Sequence, residues 1–423
     1  MGLKVGFVGC GKFADSFIPL FKLHPLVDKV VLCDLKADRV AEKATKHGLT
    51  ETYASMDDMF RRSDVDSIAV FVPRHLHGPV VLKGLRAGKH VYCAVPTGNS
   101  VEEIQEIVET VKETRLTYMM GETCIYFPCS MFCRKAYREG RFGTFVYGEA
   151  QYYHDIVEFF PYYQREEGEN WRRVAGLPPY FYPTHSTAML LHAIDDYAVK
   201  VAAMGYRDHR FPDIYGQGKN DWDNPFSNET MLIRLSRGGV GRINEFRCVG
   251  TRRPSSYITA MYGDKGAYEM ASRHHVLQEI HDDGPTTLTD VSAEINSLLF
   301  EEERDQPDYY QRSLNAKYDS GFSRIHNVSR LPKAFEGFTG FQHNGSHQFL
   351  VDDFVKGATQ NKLPPNHIWD AARYMLPGLI GHQSALRDGE LMDVPDFGDP
   401  PADWELLDPD NVPPDASAAA AVE

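Results

Sequence analysis

The chain has 423 residues, 42% of them hydrophobic and 25% charged, and 59 acidic against 45 basic side chains give a formal net charge of −14. A surface of that sign repels a phosphate backbone and no concentrated basic stripe offsets it, which excludes nucleic acid as a partner. The longest apolar runs, such as Ser67 to Val72, are strand-sized and far short of the roughly 20 residues of a membrane helix.

The N-terminus lacks the charged, apolar and small-residue succession of a secretory signal, so a cytoplasmic protein without a membrane span is expected. The seven cysteines, Cys10, Cys33, Cys93, Cys124, Cys129, Cys133 and Cys248, lie mostly in apolar stretches and read as reduced thiols. Cys124, Cys129 and Cys133 lack the short pairs of zinc sites, so they read as buried thiols in a strand-to-helix passage, with no metal expected.

From the N-terminus, candidate strands are Lys4 to Val8, Lys29 to Cys33, Ser67 to Val72, His90 to Cys93 and Leu116 to Met120. Helical segments separate them, among them Val101 to Thr114, where Ile104, Ile107, Val108 and Val111 recur at helical spacing. Alternation of this kind predicts an α/β doubly wound parallel sheet of Rossmann type over residues 1–123.

The first strand runs into Gly9-Cys10-Gly11-Lys12-Phe13-Ala14, a G-x-G-x-x-A sequence expected to open the next helix. Gly9 permits a tight turn, Gly11 lets backbone approach a pyrophosphate, and Ala14 lets helix pack close on strand. The second strand ends in Asp34, 20 residues beyond Ala14. A carboxylate there accepts from both ribose hydroxyls and repels a 2′-phosphate, which selects NAD over NADP. Lys36 and Arg39 read as solvated charges at a helix start.

After about residue 142 the pattern changes to longer alternating strands: Phe145 to Tyr153, Thr230 to Leu235, Gly241 to Cys248 and Tyr257 to Tyr262. Gly238-Gly239 reads as a hairpin turn between the middle two. A mostly antiparallel sheet in an α+β domain over 124–405 is expected, with a helix over Asn366 to Asp388 and a flexible tail over 406–423.

The sequence resembles the Gfo/Idh/MocA oxidoreductases along nearly its whole length. Val72-Pro73-Arg74-His75-Leu76-His77, then Ala87-Gly88-Lys89-His90-Val91, look like the family's nicotinamide-side strand and the run into its Glu-Lys-Pro signature. Here that signature is Ala94-Val95-Pro96, and Val95 has no proton to offer where the family's lysine assists proton transfer. Val-Pro at this place is similar to the branch containing NAD-dependent glycosidases, including α-N-acetylgalactosaminidases.

Glu149-Ala150-Gln151-Tyr152-Tyr153-His154-Asp155, Trp171-Arg172 and Tyr182-Pro183-Thr184-His185 look like further landmarks of that branch. Phe181, four residues before His185, stands where ordinary family dehydrogenases have aspartate. Ser186 replaces the glycine that commonly follows the histidine, which sets the chain apart from the α-N-acetylgalactosaminidase group itself.

Beside Gly9, Gly11, Lys12, Phe13, Ala14 and Asp34, the resemblance implies cofactor contacts from Pro73, His75, His77, Val95, Pro96 and Glu122. It implies catalytic roles for His185, Tyr182 and Glu149, and substrate contacts from Tyr153, His154, Trp171 and Arg172.

Histidine is the side chain best poised for proton transfer near neutrality, and a helix starting near Ser186 would hold His185 at its N-terminal edge. His192, on the apolar face with Met189 and Leu190, reads as core. Arg247, Arg252 and Arg253 flank a strand end, where they read equally as a clamp for an anionic sugar substituent or as solvated loop residues. His343, Ser346 and His347 resemble a segment of relatives in this branch, with His343 a candidate substrate contact. His274, His275 and His281 with Glu279 match no zinc spacing and read as surface residues.

The resemblance implies an NAD-dependent carbohydrate-active enzyme acting on a sugar or glycoside, most simply a glycosidase that works by transient oxidation at C3. A plain NAD-dependent sugar dehydrogenase, with His185 and Tyr182 replacing the lysine, is the first alternative. A non-catalytic sugar or nucleotide sensor is the second. A homo-oligomer is expected from the family's sheet face.

Overall fold

The computed structural model describes residues 2–249, 257–271, 274–279, 286–295, 322–338 and 343–407. These fall into two compact units. The first comprises the chain up to Thr123, Asn327–Ala372 and the described residues from Phe397 on; the second comprises the described parts of Cys124–His326 together with Arg373–Asp396.

In the first unit, strands β1 (Leu3–Val8), β2 (Val27–Cys33), β3 (Thr52–Tyr53), β4 (Ser67–Val70), β5 (His90–Cys93) and β6 (Tyr118–Met120) form a parallel sheet in the order β3-β2-β1-β4-β5-β6. That is the doubly wound order whose chain reversal, between β1 and β4, opens a crevice at the strand carboxyl ends. Every residue of β4 is buried, as a strand covered on both faces requires. The helix Val101–Thr114 starts where its sequence marks it, because the Ser100 hydroxyl accepts from the Glu103 N–H at 3.1 Å.

Asn327–Ala372 was expected in the second domain and clusters instead with the first unit. Its helix Ser346–Gln360 presses Phe354 against Phe21 and Tyr92, with ring centroids 6.0 and 5.7 Å apart. Polar contacts add to this grip: buried Asp352 faces His24 at 3.3 Å, and Arg330 bonds Asp352 at 3.1 Å and Asp353 at 2.7 Å. Periodicity reveals such a helix but not its partner.

In the second unit, β7 (Phe145–Tyr153), β8 (Ala198–Arg207), β9 (Phe226–Leu235), β10 (Val240–Phe246), β11 (Tyr257–Gly263), β12 (Gly266–Ala271), β13 (His274–Glu279), β14 (Thr287–Asp290) and β15 (Met392–Asp393) form one sheet. Its order is β14-β13-β12-β11-β7-β10-β9-β8-β15, antiparallel except where β10 runs parallel to β7. The β9–β10 hairpin turns at the expected glycines, with Gly238 at φ 95°. The helix Thr184–Ile194 lies close on β7, where a Cβ on Gly148 would stand 2.6 Å from Leu190 Cδ1.

All seven cysteines are buried and none forms a disulfide. His275 is not a surface residue: it is buried, its Nδ1 pairs with the Tyr268 hydroxyl at 2.7 Å, and its N–H donates to Ser292 Oγ at 2.9 Å. Glu279 pairs with Arg141 at 3.0 Å. His281, Arg252, Arg253 and the tail from residue 408 lie outside the described residues. Among the described residues no helix is long and apolar enough to cross a membrane.

Candidate active site

The first unit builds a nucleotide site at the end of β1. Gly9 has φ 92°, and a Cβ there would stand 2.6 Å from the carbonyl of Phe71, so only glycine lets the chain turn so close to the neighbouring strand. Beyond Gly11 the space is open, with no atom within 4 Å of where a Cβ would lie. Ala14 is fully buried. The helix expected after the glycines begins as a short 3-10 turn, Ala14–Ser16, and continues as Ile18–Leu23 with a proline in its first turn.

Asp34 follows the end of β2. Its Oδ2 accepts from the Cys10 N–H at 2.8 Å and its Oδ1 from the Lys36 N–H at 2.9 Å, fixing the carboxylate beside the glycine-rich loop. Burial, with Asp34 adding repulsion, pushes the Cys10 thiol up to about 12, which keeps it uncharged. Arg39 is not the solvated charge its position suggested: its guanidinium stands 3.5 Å from Asp34 Oδ2 with the side chain 22% exposed. Open backbone at Gly11 and a fixed carboxylate at the ribose position fit a dinucleotide.

Pro73 leads into the 3-10 turn Arg74–Leu76, which contains His75, and Val95 and Pro96 are buried across the cis bond that joins them. His77 is buried with Nδ1 2.6 Å from the Pro96 carbonyl and Nε2 3.0 Å from the Val72 carbonyl. With both nitrogens turned to backbone, His77 positions these loops rather than meeting a ligand. Glu122 is buried, and its carbonyl accepts from Asn366 Nδ2 at 3.1 Å. Lys12 and Phe13 are exposed.

His343 lies in this unit, 6.1 Å from Phe13 and 5.0 Å from His347 between ring centroids. Its expected role was substrate contact; its place beside Phe13 is at the nucleotide loop.

The second unit gathers an aromatic cluster around His185. The helix starts at Thr184, two residues before the expected Ser186, so His185 sits inside its first turn. The buried His185 ring meets Tyr152, Tyr182 and Tyr257 edge to face, with centroids 4.9, 5.0 and 5.8 Å apart. Tyr152 in turn holds His154, whose Nδ1 lies 2.5 Å from the Tyr152 hydroxyl. His185, Tyr182 and His154 are therefore brought together.

Glu149 and Tyr153 are not. Successive strand residues point to opposite faces, so on β7 Tyr152 faces His185 while Glu149, Gln151 and Tyr153 face away. There Glu149 pairs with Arg242 and accepts from the Tyr147 hydroxyl at 2.7 Å, and Tyr153 stacks on Phe246. Burial and Glu149 together push the Tyr147 phenol up to about 12. Trp171 packs on Phe160, in an apolar group with Ile156 and Tyr163, and exposed Arg172 lies over the Trp171 ring. His192 is half-buried and pairs with the Tyr374 hydroxyl at 3.1 Å, a packing role.

Arg247 is neither a solvated loop residue nor an open anion clamp. It is buried, 4.4 Å from the Tyr152 ring and 4.9 Å from the Tyr182 ring, and Nη2 donates to Glu245 at 2.8 Å and to the Tyr182 carbonyl at 3.0 Å. Glu245 was missed in the sequence although it alternates with Ile243 and Arg247 on one face of β10. It also accepts from the Ser186 hydroxyl.

Directly opposite Glu245, on β9, stands Glu229, equally buried. It accepts from the Tyr180 N–H at 2.9 Å and faces His382 Nδ1 at 2.8 Å. Two buried carboxylates thus strap the segment Tyr180 to Ser186 from below.

The sequence profile of an oxidoreductase family with NAD-binding Rossmann fold, Gfo/Idh/MocA, matches residues 3–122. A Saccharopolyspora erythraea protein named as a glycosyl hydrolase family 109 protein is 30% identical over 306 residues, covering 66% of this chain and 65% of that relative. A Streptomyces filamentosus protein of the same name is 25% identical over 421 residues, covering 93% of this chain and 77% of that relative.

Among solved structures, levoglucosan dehydrogenase in complex with NADH and levoglucosan superposes with a TM-score of 0.70 at 17% identity, over 93% of this chain and 100% of that one. An Agrobacterium radiobacter oxidoreductase in complex with NAD+, L-tartaric acid and magnesium superposes with a TM-score of 0.67 at 14% identity, over 93% and 98%. At these identities the likeness is one of fold. The chain carries, in residues 3–122, the NAD-binding Rossmann domain of the Gfo/Idh/MocA oxidoreductase family.

Proposed function

We propose that the protein is an NAD-dependent glycosidase that cleaves a glycoside by transient oxidation at C3 of the sugar, elimination of the leaving group, addition of water and re-reduction. The observation that carries this reading is His185, buried among Tyr152, Tyr182 and Tyr257 at the first turn of its helix, in a chain that carries an NAD-binding Rossmann domain and has Val95 in the signature position. The relatives named as glycosyl hydrolase family 109 proteins support it.

NAD, which Gly9, Gly11 and Asp34 would hold, would supply the hydride-accepting and hydride-donating chemistry of this cycle when bound. His185 takes the proton of the hydroxyl being oxidised and gives one back on re-reduction. Tyr182 presents a phenol against the same ring and donates to the oxygen on which negative charge develops. Once C3 is a ketone the C2 proton is acidic, and the Tyr152–His154 pair is the second proton-handling group available to remove it. Glu149, on the other face of β7, takes no part.

A paired-carboxylate hydrolysis needs two carboxyl groups open to substrate. Glu229 and Glu245 are fully buried and committed to His382 and Arg247. The same reading carries a sugar as substrate, a homo-oligomer as the working form and a cytoplasmic setting, in keeping with seven cysteines that form no disulfide.

The test is incubation of the protein with a panel of aryl glycosides and catalytic NAD+, following phenol release and absorbance of NADH. Phenol release without net NADH is expected. Stoichiometric NADH without phenol would replace the reading with a sugar dehydrogenase, and binding of NAD with no turnover on the panel would replace it with a sensor.

A further inference from the structure

The first turn of the helix Ser346–Gln360 joins a helix N-terminus to buried polar side chains that meet no hydrogen-bond partner among the described residues. Ser346 and His347 are fully buried and Gln348 is 1% exposed. Among the described residues, Ser346 Oγ, both ring nitrogens of His347 and both amide atoms of Gln348 have no hydrogen-bond partner. Gly345 at the N-cap has no side chain to cap the helix, and the first N–H groups of any helix have no intrahelical acceptor. Buried polar atoms are rarely left unpaired, so so many on one turn point to a polar ligand.

The position of the turn says which ligand. The His347 ring lies 4.2 Å from Phe17 and 5.6 Å from Phe13 between centroids, and Phe13 belongs to the glycine-rich loop itself. Burial, with His343 adding repulsion, holds His347 well below the usual histidine range, so its ring is neutral with one N–H to donate.

We propose that this turn is a second anion-holding element of the nucleotide site, in which Ser346 Oγ, a ring N–H of His347 and the helix's first N–H groups hold the pyrophosphate of NAD. The inference rests on NAD binding by residues 3–122. Aligned peptide dipoles place positive potential at the N-terminus of the 15-residue helix Ser346–Gln360, which favours a dianionic group beside the glycine-rich loop. The consequence is slow cofactor release, which a cycle that gives and then takes back a hydride requires.

The test is calorimetric titration of the full chain with ADP-ribose, which carries the pyrophosphate, and with adenosine, which does not. Ser346→Ala and His347→Phe are expected to weaken ADP-ribose about tenfold and leave adenosine unchanged. Ser346→Thr and His347→Asn keep a donor and are expected to hold most of the affinity, which separates lost contact from lost fold. Wild-type affinity for ADP-ribose in both deletion variants would overturn the proposal, as would an equal loss for adenosine. A wild-type chain that binds neither ADP-ribose nor NAD+ would overturn the nucleotide assignment beneath it.

Discussion

Arg247 reaches back from the end of β10 to donate from Nη2 to the carbonyl oxygen of Tyr182 at 3.0 Å. The same nitrogen bonds Glu245 at 2.8 Å, so one buried guanidinium fixes the backbone beside His185 while neutralising a carboxylate that has no access to water. Removing one partner of a buried pair leaves the other charge uncompensated. Arg247→Met is therefore expected to lower stability by about 3 to 5 kcal/mol, and adding Glu245→Gln is expected to recover part of it. Chemical denaturation of the three proteins checks this; equal stability of wild type and Arg247→Met would remove the strap from the account.

His185→Ala is expected to reduce phenol release by at least about a hundredfold, the lower range for a positioned general acid–base group, while NAD+ affinity stays within a factor of two. Glu149→Gln, on the far face of β7, is expected to leave turnover within about threefold of wild type. Steady-state kinetics with parallel NAD+ titrations read both. A collapse of activity in Glu149→Gln with a folded protein would return Glu149 to the catalytic group.

The pairing of Arg39 with Asp34 at 3.5 Å bears on cofactor choice. While Asp34 is present its charge opposes a 2′-phosphate and occupies the guanidinium. Asp34→Ala is expected to weaken NAD+ and, by freeing Arg39, to raise the affinity for NADP+, whereas Asp34→Ala with Arg39→Ala loses the gain. Binding isotherms for both dinucleotides decide it, and an unchanged preference for NAD+ in Asp34→Ala would count against Asp34 as the selecting residue.

Burial holds His77 below the ordinary histidine value of 6.5, and it does the same to His90. Unfolding exposes both rings, so as pH falls the unfolded chain takes up their protons first. Their stability contribution is complete above about pH 6.5 and is lost as pH falls toward the folded values, by up to about 1.4 kcal/mol per pH unit for each ring. The thermal midpoint is expected to be level near pH 7.5 and to fall between pH 6.5 and 5, less steeply in His77→Asn. A midpoint that rises across that interval would contradict the assignment.

Local rules carried much of this fold. The run from Lys4 through the two glycines to Asp34 is legible because strand, turn and acid are all close in sequence, and Ser100 marks the start of its helix by a side chain three residues from its donor. What eluded the sequence depends on distance or parity. Glu149, Tyr152 and Tyr153 lie in one strand-like run, and only knowing which face meets the helix Thr184–Ile194 separates Tyr152 from the other two. Glu229 and Glu245 are hidden for a different reason: a carboxylate inside an apolar strand becomes legible once His382 and Arg247 are seen beside it. His343 and His347 travel with a helix whose partner, the glycine-rich loop, is more than 300 residues earlier in the chain.

The central claim is a redox-neutral cycle in which C3 is oxidised so that C2 can lose its proton. Cleavage of a reactive aryl glycoside in deuterated water, followed by NMR of the released sugar, tests it most directly. Deuterium at C2 of the product with no net NADH is the expected result. Product sugar that keeps its original C2 hydrogen in full would contradict it.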